Sequence, residues 1–300
     1  MKVLITGATG LIGTHLTKEC NRAGIAVNYL TTSKEKFENK PNYNGYYWDP
    51  YNDEIDINAF KDVTTIIHLV GASISKRWTK SYKKTIIESR VKTANLLYKT
   101  LQNTKNEVQH FISASGVSIY PNSESRLYTE NDDAVDTTFL AEVVQKWEAA
   151  ADQFKDLDIR VAKVRTGVVL AENEGAFPKL VKPIEKGFGA PLASGKQWMS
   201  WIHLEDIVCI YLYILKNGLQ GVYNATAPSP VTNEKMTKKV ASYLDKDLWL
   251  PNVPAFVLRL VLGEMAILVT KGQLVSSKKI EEKGYKFRYV NVVPAIKDLL

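Results

Sequence analysis

Three observations predict an α/β fold built on a parallel sheet for this chain of 300 residues. Short apolar strand segments alternate with helical segments through the first two thirds. A glycine-rich turn joins the first strand directly to the first helix. The strand segments are continuous apolar runs, as expected of parallel strands covered on both faces. The expected architecture is a Rossmann-type doubly wound sheet with right-handed crossovers and a smaller C-terminal substrate lobe.

The first element is the clearest. A strand over 3–5 runs into Thr6-Gly7-Ala8-Thr9-Gly10-Leu11-Ile12-Gly13, and an amphipathic helix over 11–20 follows at once. The glycines are spaced G-x-x-G-x-x-G. Gly7 permits a tight turn off the strand, Gly10 lets backbone approach a pyrophosphate, and Gly13 lets the helix pack close to the strand. The start of that helix offers unpaired N–H groups and a positive dipole end. Gly7, Thr9, Gly10, Leu11, Ile12 and Gly13 are therefore candidate dinucleotide-binding positions.

The pattern continues with a strand over 27–30, an apolar run over 65–69 ending in Gly71-Ala72, and a helix over 81–101. A strand over 108–112 runs into Ser113-Ala114-Ser115-Gly116; a helix over 138–151 and a strand over 159–164 follow. Beyond Leu170 the chain becomes rich in glycine and proline, a long loop with room for one helix, of the kind that carries function. Trp201-Ile202-His203 then leads into a helix over 205–215, and 221–224 reads as a late strand returning to the sheet. Helices over 233–244 and 255–268 make a small lobe. The expected domains are a dinucleotide-binding unit over 1–227, with a lid insertion at about 171–200, and a C-terminal lobe over 228–300.

Composition narrows the function classes. A chain that is 45% hydrophobic and 24% charged has ordinary globular make-up and ample length for a core. The net charge of +7 comes from scattered lysines. No basic stripe interleaved with aromatics appears, so nucleic acid is not the expected partner. Attraction of a phosphorylated cofactor accounts for the charge. The longest apolar stretch, 253–269, carries Arg259 and Glu264 and is too polar to span a bilayer. Cys20 and Cys209 sit in apolar helical patterns and read as small buried hydrophobes. With no leader visible, a cytoplasmic protein is the expectation. No metal-ligand spacing is present.

The ordered motifs carry a resemblance. The glycine turn, His68-Leu69-Val70-Gly71-Ala72, Arg77-Trp78-Thr79, Glu88-Ser89-Arg90, Trp147-Glu148-Ala149-Ala150 and Arg165-Thr166-Gly167-Val168-Val169-Leu170 come first. Ser194-Gly195-Lys196-Gln197, Trp201-Ile202-His203, Asn224-Ala225-Thr226-Ala227-Pro228 and Val253-Pro254-Ala255 follow, with Leu262-Gly263-Glu264 after them. Together they resemble extended, atypical short-chain dehydrogenase/reductases of the NAD-dependent epimerase/dehydratase superfamily. Within it they resemble an epimerase-like subfamily ending in a C-terminal domain of unknown function. Some members of that subfamily carry a cell-division-inhibitor label. The resemblance implies dinucleotide contacts at Leu69, Val70, Gly71 and Val168 as well.

In NAD-binding versions an acidic residue about 20 positions past the glycines grips the ribose 2′-hydroxyl. Here the second strand ends Thr31-Thr32-Ser33-Lys34, with no carboxylate before Glu35. A 2′-phosphate would meet hydroxyls and an ammonium, which favours NADP(H) over NAD(H). Lys34 is either a point-charge clamp or a solvated loop lysine. Arg90 is a second candidate phosphate contact, supported by the resemblance.

The usual Tyr-x-x-x-Lys pair is missing: no tyrosine is followed by lysine at the fourth position. Alignment on Glu148 puts Leu140 at the tyrosine's place and Val144 at the lysine's. With Val143 and Trp147 these form an apolar helix face. Ser115 lies where the family's catalytic serine or threonine sits, and either orients a substrate carbonyl or caps a turn. Tyr120 is a weaker candidate proton donor. Glu142 and Lys146 read as a surface pair. Arg77, Trp78 and His203 are candidate substrate contacts, Trp78 as a pocket wall or a loop anchor and His203 as a ligand contact or a packed ring. Lys196-Gln197-Trp198 is a further candidate lining. Two functions stay open: an NADP-dependent oxidoreductase or epimerase acting on a small carbonyl or nucleotide-sugar-like substrate, or a catalytically silent NADPH-binding regulator or redox sensor. A homodimer is compatible with either.

Overall fold

The computed structural model describes residues 1–300, the side chain of Lys36 excepted. Seven strands form its parallel core: β1 (Lys2–Thr6), β2 (Ala26–Thr31), β3 (Tyr43–Asp49), β4 (Thr65–His68), β5 (His110–Gly116), β6 (Arg160–Thr166) and β7 (Gly221–Ala225). Their order across the sheet is β7-β6-β5-β4-β1-β2-β3, so the chain starts at the centre and winds outward in both directions. Two short antiparallel segments, Asn39–Lys40 and Glu54–Ile55, pair with β3.

Helices cover both faces, as the apolar strands require. Leu16 and Cys20 of α1 (Leu11–Arg22) share one core with Val3, Ile5 and Val27 of the sheet. The opposite core joins Leu4, Ile66 and Phe111 to helix residues Leu97 and Ala151. Those belong to α2 (Lys80–Asn103) and α3 (Phe139–Asp152). On α3 the predicted apolar face is buried, with Leu140, Val143, Val144 and Trp147 all under 10% exposed. Glu142 and Lys146 form a surface pair at 2.6 Å.

The region after β6 departs most from expectation. The stretch expected as a lid supplies α4 (Phe177–Glu185), whose Phe177, Val181 and Ile184 are buried. They pack with Val231, with Met236 and Val240 of α6 (Asn233–Tyr243), and with Ala295 and Ile296 of α8 (Val292–Leu299). Most of 171–200 is thus a structural piece of the C-terminal lobe. The lobe is bound to the main sheet through α5 (Leu204–Lys216), whose Asp206 accepts from the Tyr285 hydroxyl and from the amides of Arg288 and Tyr289. The apolar segment 255–268 is not one helix. It breaks after α7 (Ala255–Leu262) at Gly263, where φ is +59°, and resumes as a short turn, Ile267–Thr270. Cys20 is buried as expected, but Cys209 is exposed, because its position on α5 faces outward.

At the centre of the sheet a neutral histidine ties three elements together. Val70 N donates to Thr6 Oγ1 (3.4 Å), Thr6 Oγ1 bonds His68 Nδ1 (2.9 Å), and His68 Nε2 bonds Thr93 Oγ1 of α2 (3.2 Å). Thr93 also reaches the carbonyls of Ser89 and Arg90. The direction that satisfies every group has Thr6 donating to Nδ1 and Nε2–H donating to Thr93. Burial pushes the His68 pKa down to about 4, and burial also holds His110 at about 4. Each binds its proton in the unfolded chain near pH 6.5 but not in the folded one, so stability must fall as pH drops from 6.5 towards 4. His68 contributes about 3 kcal/mol to that fall. Urea titrations of the wild type and His68→Gln between pH 7 and 4.5 should show a shallower pH slope in the variant; equal slopes would refute a neutral buried His68.

Candidate active site

The glycine turn is built by close approach. Gly7 has φ +74°, and a Cβ there would lie 2.9 Å from Val70 N, so the turns after β1 and β4 touch. Gly10 N donates to Gly7 O (3.0 Å), and Gly10 caps α1 without any side-chain hydrogen bond. A Cβ on Gly13 would lie 2.1 Å from Gly7 O and 2.8 Å from Ala8 Cα. Gly13 therefore draws the helix onto the turn itself, not onto the strand as the spacing suggested. Thr9 and Gly10 are exposed and Leu11 and Ile12 half-buried. Thr14 N is the first helical amide to find a carbonyl, that of Gly10 (2.9 Å). The amides of Leu11, Ile12 and Gly13 have no carbonyl one turn back, which makes this end of the helix receptive to an anion.

At the end of β2, Thr31 is buried and its Oγ1 accepts from Ser33 N (3.2 Å). Thr32 is exposed and Ser33 half-buried. Lys34 is exposed with its Nζ 5.1 Å above the Tyr47 ring. The segment Leu69-Val70-Gly71 continues from β4, with Leu69 and Val70 half-buried and Gly71 exposed. Arg90 lies under Gly71: a Cβ there would sit 2.8 Å from the Arg90 Cζ. The guanidinium donates from Nη1 to Ala72 O (3.2 Å) and Ile86 O (2.9 Å), and its Cζ stands 4.7 Å from the Trp147 ring centre. Burial brings its pKa down to about 10, still charged at neutral pH.

Ser115 and Tyr120 occupy a different kind of place. β5 runs through Gly116, longer than the sequence suggested, so Ser115 is a strand residue facing α3 and not a loop residue past the strand end. Ser115, Arg165 and Asn224 are register partners across β5, β6 and β7. Ser115 Oγ donates to Glu148 Oε1 (2.6 Å), and Arg165 grips Glu148 with Nε (2.7 Å) and Nη2 (2.9 Å). Arg165 Nη1 donates to the Tyr120 hydroxyl (2.8 Å), which donates to Asn224 Oδ1 (2.9 Å). Asn224 N donates to Glu130 (2.7 Å), and Lys163 lies 3.4 Å from Glu148. Burial alone would raise Glu148, but Arg165, Ser115 and Lys163 hold it below its usual value. Tyr120 is raised by burial despite Arg165. Sequence reasoning quoted Arg165, Glu148 and Asn224 only as motif letters. Their burial, which the sequence does not show, is what pairs them.

The candidate substrate contacts are scattered. Arg77 is exposed. Trp78 is buried and anchored: its Nε1 donates to Ile74 O (2.9 Å) and its ring meets Phe139 edge-on at 5.2 Å, within a cluster that includes Leu140 and Val143. His203 is a packed ring. It is 2% exposed, its Nδ1 accepts from Glu205 N (3.2 Å) to cap α5, and it lies 3.9 Å from the Tyr289 ring and 3.3 Å from Asp298. Tyr289 and Asp298 belong to the C-terminal lobe, and His203 Nε2 is buried without a hydrogen-bond partner. Gln197 and Trp198 are likewise tied to backbone, at Leu192, Val269 and Glu124. Val168 begins a short strand, Val168–Leu170, that pairs with Trp201–His203. The loop after it reaches the helix start: a Cβ on Gly175 would lie 3.6 Å from Leu11 Cδ2. Among the described residues no cluster of potential metal ligands occurs, and no helix is long and apolar enough to cross a membrane.

Comparison with known proteins fits this geometry. The model of the NAD dependent epimerase/dehydratase family matches residues 3–226, and that of a domain of unknown function (DUF1731) matches residues 253–299. An epimerase family protein of Staphylococcus saprophyticus is 36% identical, covering 99% of this chain and 98% of its own. The crystal structure of human epimerase family protein SDR39U1 (isoform 2) with NADPH superposes with a TM-score of 0.86 at 29% identity, covering 100% of this chain and 99% of that one. A nucleoside-diphosphate sugar epimerase from Corynebacterium glutamicum is 30% identical with a TM-score of 0.77, over 99% of this chain and 57% of that one. This chain, with its uncapped helix start behind a glycine turn and its outward-wound parallel sheet, belongs to the NAD dependent epimerase/dehydratase family.

Proposed function

We propose that the chain is an NADP(H)-dependent oxidoreductase or epimerase acting on a small carbonyl or nucleotide-sugar-like substrate. The observation that carries the reading is the start of α1, a helix N-terminus that no side chain caps and that Gly7, Gly10 and Gly13 leave open. The residues fit a dinucleotide: free helix amides for the pyrophosphate, and Thr32, Ser33 and Lys34 at the β2 end with no carboxylate before Glu35 for a 2′-phosphate. The human relative described with NADPH supports the choice of NADP(H). When bound, the nicotinamide supplies hydride chemistry; the protein binds, orients and shields it. Leu69, Val70 and Gly71 form the second wall, and the 171–176 loop against Leu11 is placed to shield the helix start. Ser115 and Tyr120 are better assigned to structure, because both hydroxyls donate to buried acceptors.

The same fact favours a second reading. With Leu140 and Val144 buried in the Tyr-x-x-x-Lys positions and the two hydroxyls committed, the chain has no assigned proton donor. A cofactor-binding regulator without turnover needs none.

Calorimetry should detect NADPH binding, and Lys34→Ala should weaken NADPH about tenfold while leaving NADH nearly unchanged; no heat with either dinucleotide would overturn the proposal. NADPH consumption across a carbonyl and nucleotide-sugar panel separates enzyme from regulator. Ser115→Ala and Tyr120→Phe should each lower stability by about 1–3 kcal/mol in urea melts, with NADPH affinity kept within twofold. Intact stability with lost turnover would return those hydroxyls to catalysis.

A further inference from the structure

Helix α7 is apolar all round, yet none of its residues is buried. In Ala255-Phe256-Val257-Leu258-Arg259-Leu260-Val261-Leu262 the one charge is Arg259. Phe256 is 70% exposed, Leu260 82% and Val261 68%. Phe256 and Leu260 are four apart, as are Val257 and Val261, so these side chains form one stripe along the helix. The chain holds α7 by its ends. Before it, Val253 exchanges backbone hydrogen bonds with Pro191 and Ala193 (both 2.9 Å). After it, Gly263 turns the chain at φ +59°, and Gln197 Nε2 donates to Val269 O (2.7 Å). A helix that is apolar on every side ordinarily lies in a core or against an apolar partner.

A basic cluster lies beside it. Residues 76–84 carry Lys76, Arg77, Lys80, Lys83 and Lys84 and no acidic residue. The last three open α2, where the helix dipole disfavours cations and no acid stands in the first turn. Lys83 pairs with Glu264, the second residue past α7, and Met265, Ile267 and Leu268 pack with Trp78 and Tyr82 in one cluster. Those contacts set the end of α7 against the start of α2. Lys84 pairs with Glu88 (3.8 Å), but among the described residues Lys76, Arg77 and Lys80 form no ion pair.

An exposed apolar stripe next to unpaired cations is the make-up of a segment that lies in a membrane interface. Acyl chains take the stripe, and anionic headgroups take the lysines. At eight residues α7 is far too short to span a bilayer. A second copy of the chain suits the face less well, because a two-fold contact centred there brings two basic clusters together. We propose that α7 and the start of α2 dock this protein on an anionic lipid surface. Phe256, Leu260 and Val261 enter the headgroup layer, and Lys76, Arg77 and Lys80 meet the lipid anions.

The test is sedimentation of the full chain with phosphatidylcholine vesicles, either pure or containing about one third phosphatidylserine. Wild type should bind the mixed vesicles about tenfold more tightly than the pure ones, and added salt should weaken that binding. Phe256→Ser with Leu260→Ser should weaken it about tenfold, and Lys76→Gln with Lys80→Gln by a similar factor with less dependence on salt. Thermal melts of both pairs should match wild type, because all four side chains are exposed. Leu260→Ser alone, at the more exposed of the two apolar positions, replaces the apolar pair if that pair melts early. Failure of wild type to bind the mixed vesicles overturns the proposal, as does equal binding to both vesicle types. Full binding by either folded pair overturns it too. Dimerisation in sedimentation velocity that Leu260→Ser abolishes, without vesicle binding, gives the face to a second copy and overturns it as well.

Discussion

The structure depends on how polar groups are satisfied where the parallel strands end. A parallel sheet delivers every strand's carboxyl end to one edge, and the chain leaving it is loop, so polar groups collect there with no further ladder to join. This protein satisfies most of them from within. Near the centre, the Thr6–His68–Thr93 chain is neutral and joins β1, β4 and α2. Towards the β7 edge, the Ser115–Glu148–Arg165–Tyr120–Asn224 chain is charged and joins β5, β6 and β7 to α3. Both chains are buried and tie the strand ends to the helices that cover them. Against that background the unsatisfied groups stand out. They include the first amides of α1, at the turn after β1, and the buried Arg90 Nε and Trp147 Nε1, with Arg90 beneath the turn after β4.

Much of this was legible in the sequence, for physical reasons that also explain the rest. Strands β1, β2, β4, β5, β6 and β7 read correctly in place because each is a short apolar run bounded by turn chemistry. β3 was missed: Tyr43-Asn44-Gly45-Tyr46-Tyr47-Trp48-Asp49 is aromatic rather than aliphatic, and its glycine, which weakens the strand signal, is there because a Cβ would lie 2.6 Å from the Tyr29 ring. The apolar face of α3 followed from helical periodicity. The joint core of α4 with α6 and α8 did not, because periodicity marks which face is buried and not what covers it. Ser115 shows the same limit at one residue. Its position near a strand end was right, and the extra length of β5 places it on the strand, where its hydroxyl donates to Glu148.

The two buried arginines give the last step. Arg165 has a glutamate, a tyrosine hydroxyl and a strand register that places all three together, and against the pull of burial Glu148 and Tyr120 hold the Arg165 guanidinium charged above its ordinary range. Arg90 has two carbonyls and an aromatic face, and burial works against its charge. Were Arg90 only a packing element, an apolar side chain over Trp147 would serve better, since an unpaired buried charge destabilises a fold and hydrophobic replacement relieves it. Leu140 and Val144 of α3, at the places where the resemblance implies tyrosine and lysine, are apolar and buried. The aligned amides at the start of α1 stand on the other side of the Gly7–Val70 contact and are likewise left open by the chain, so both unsatisfied sites border the same pair of turns.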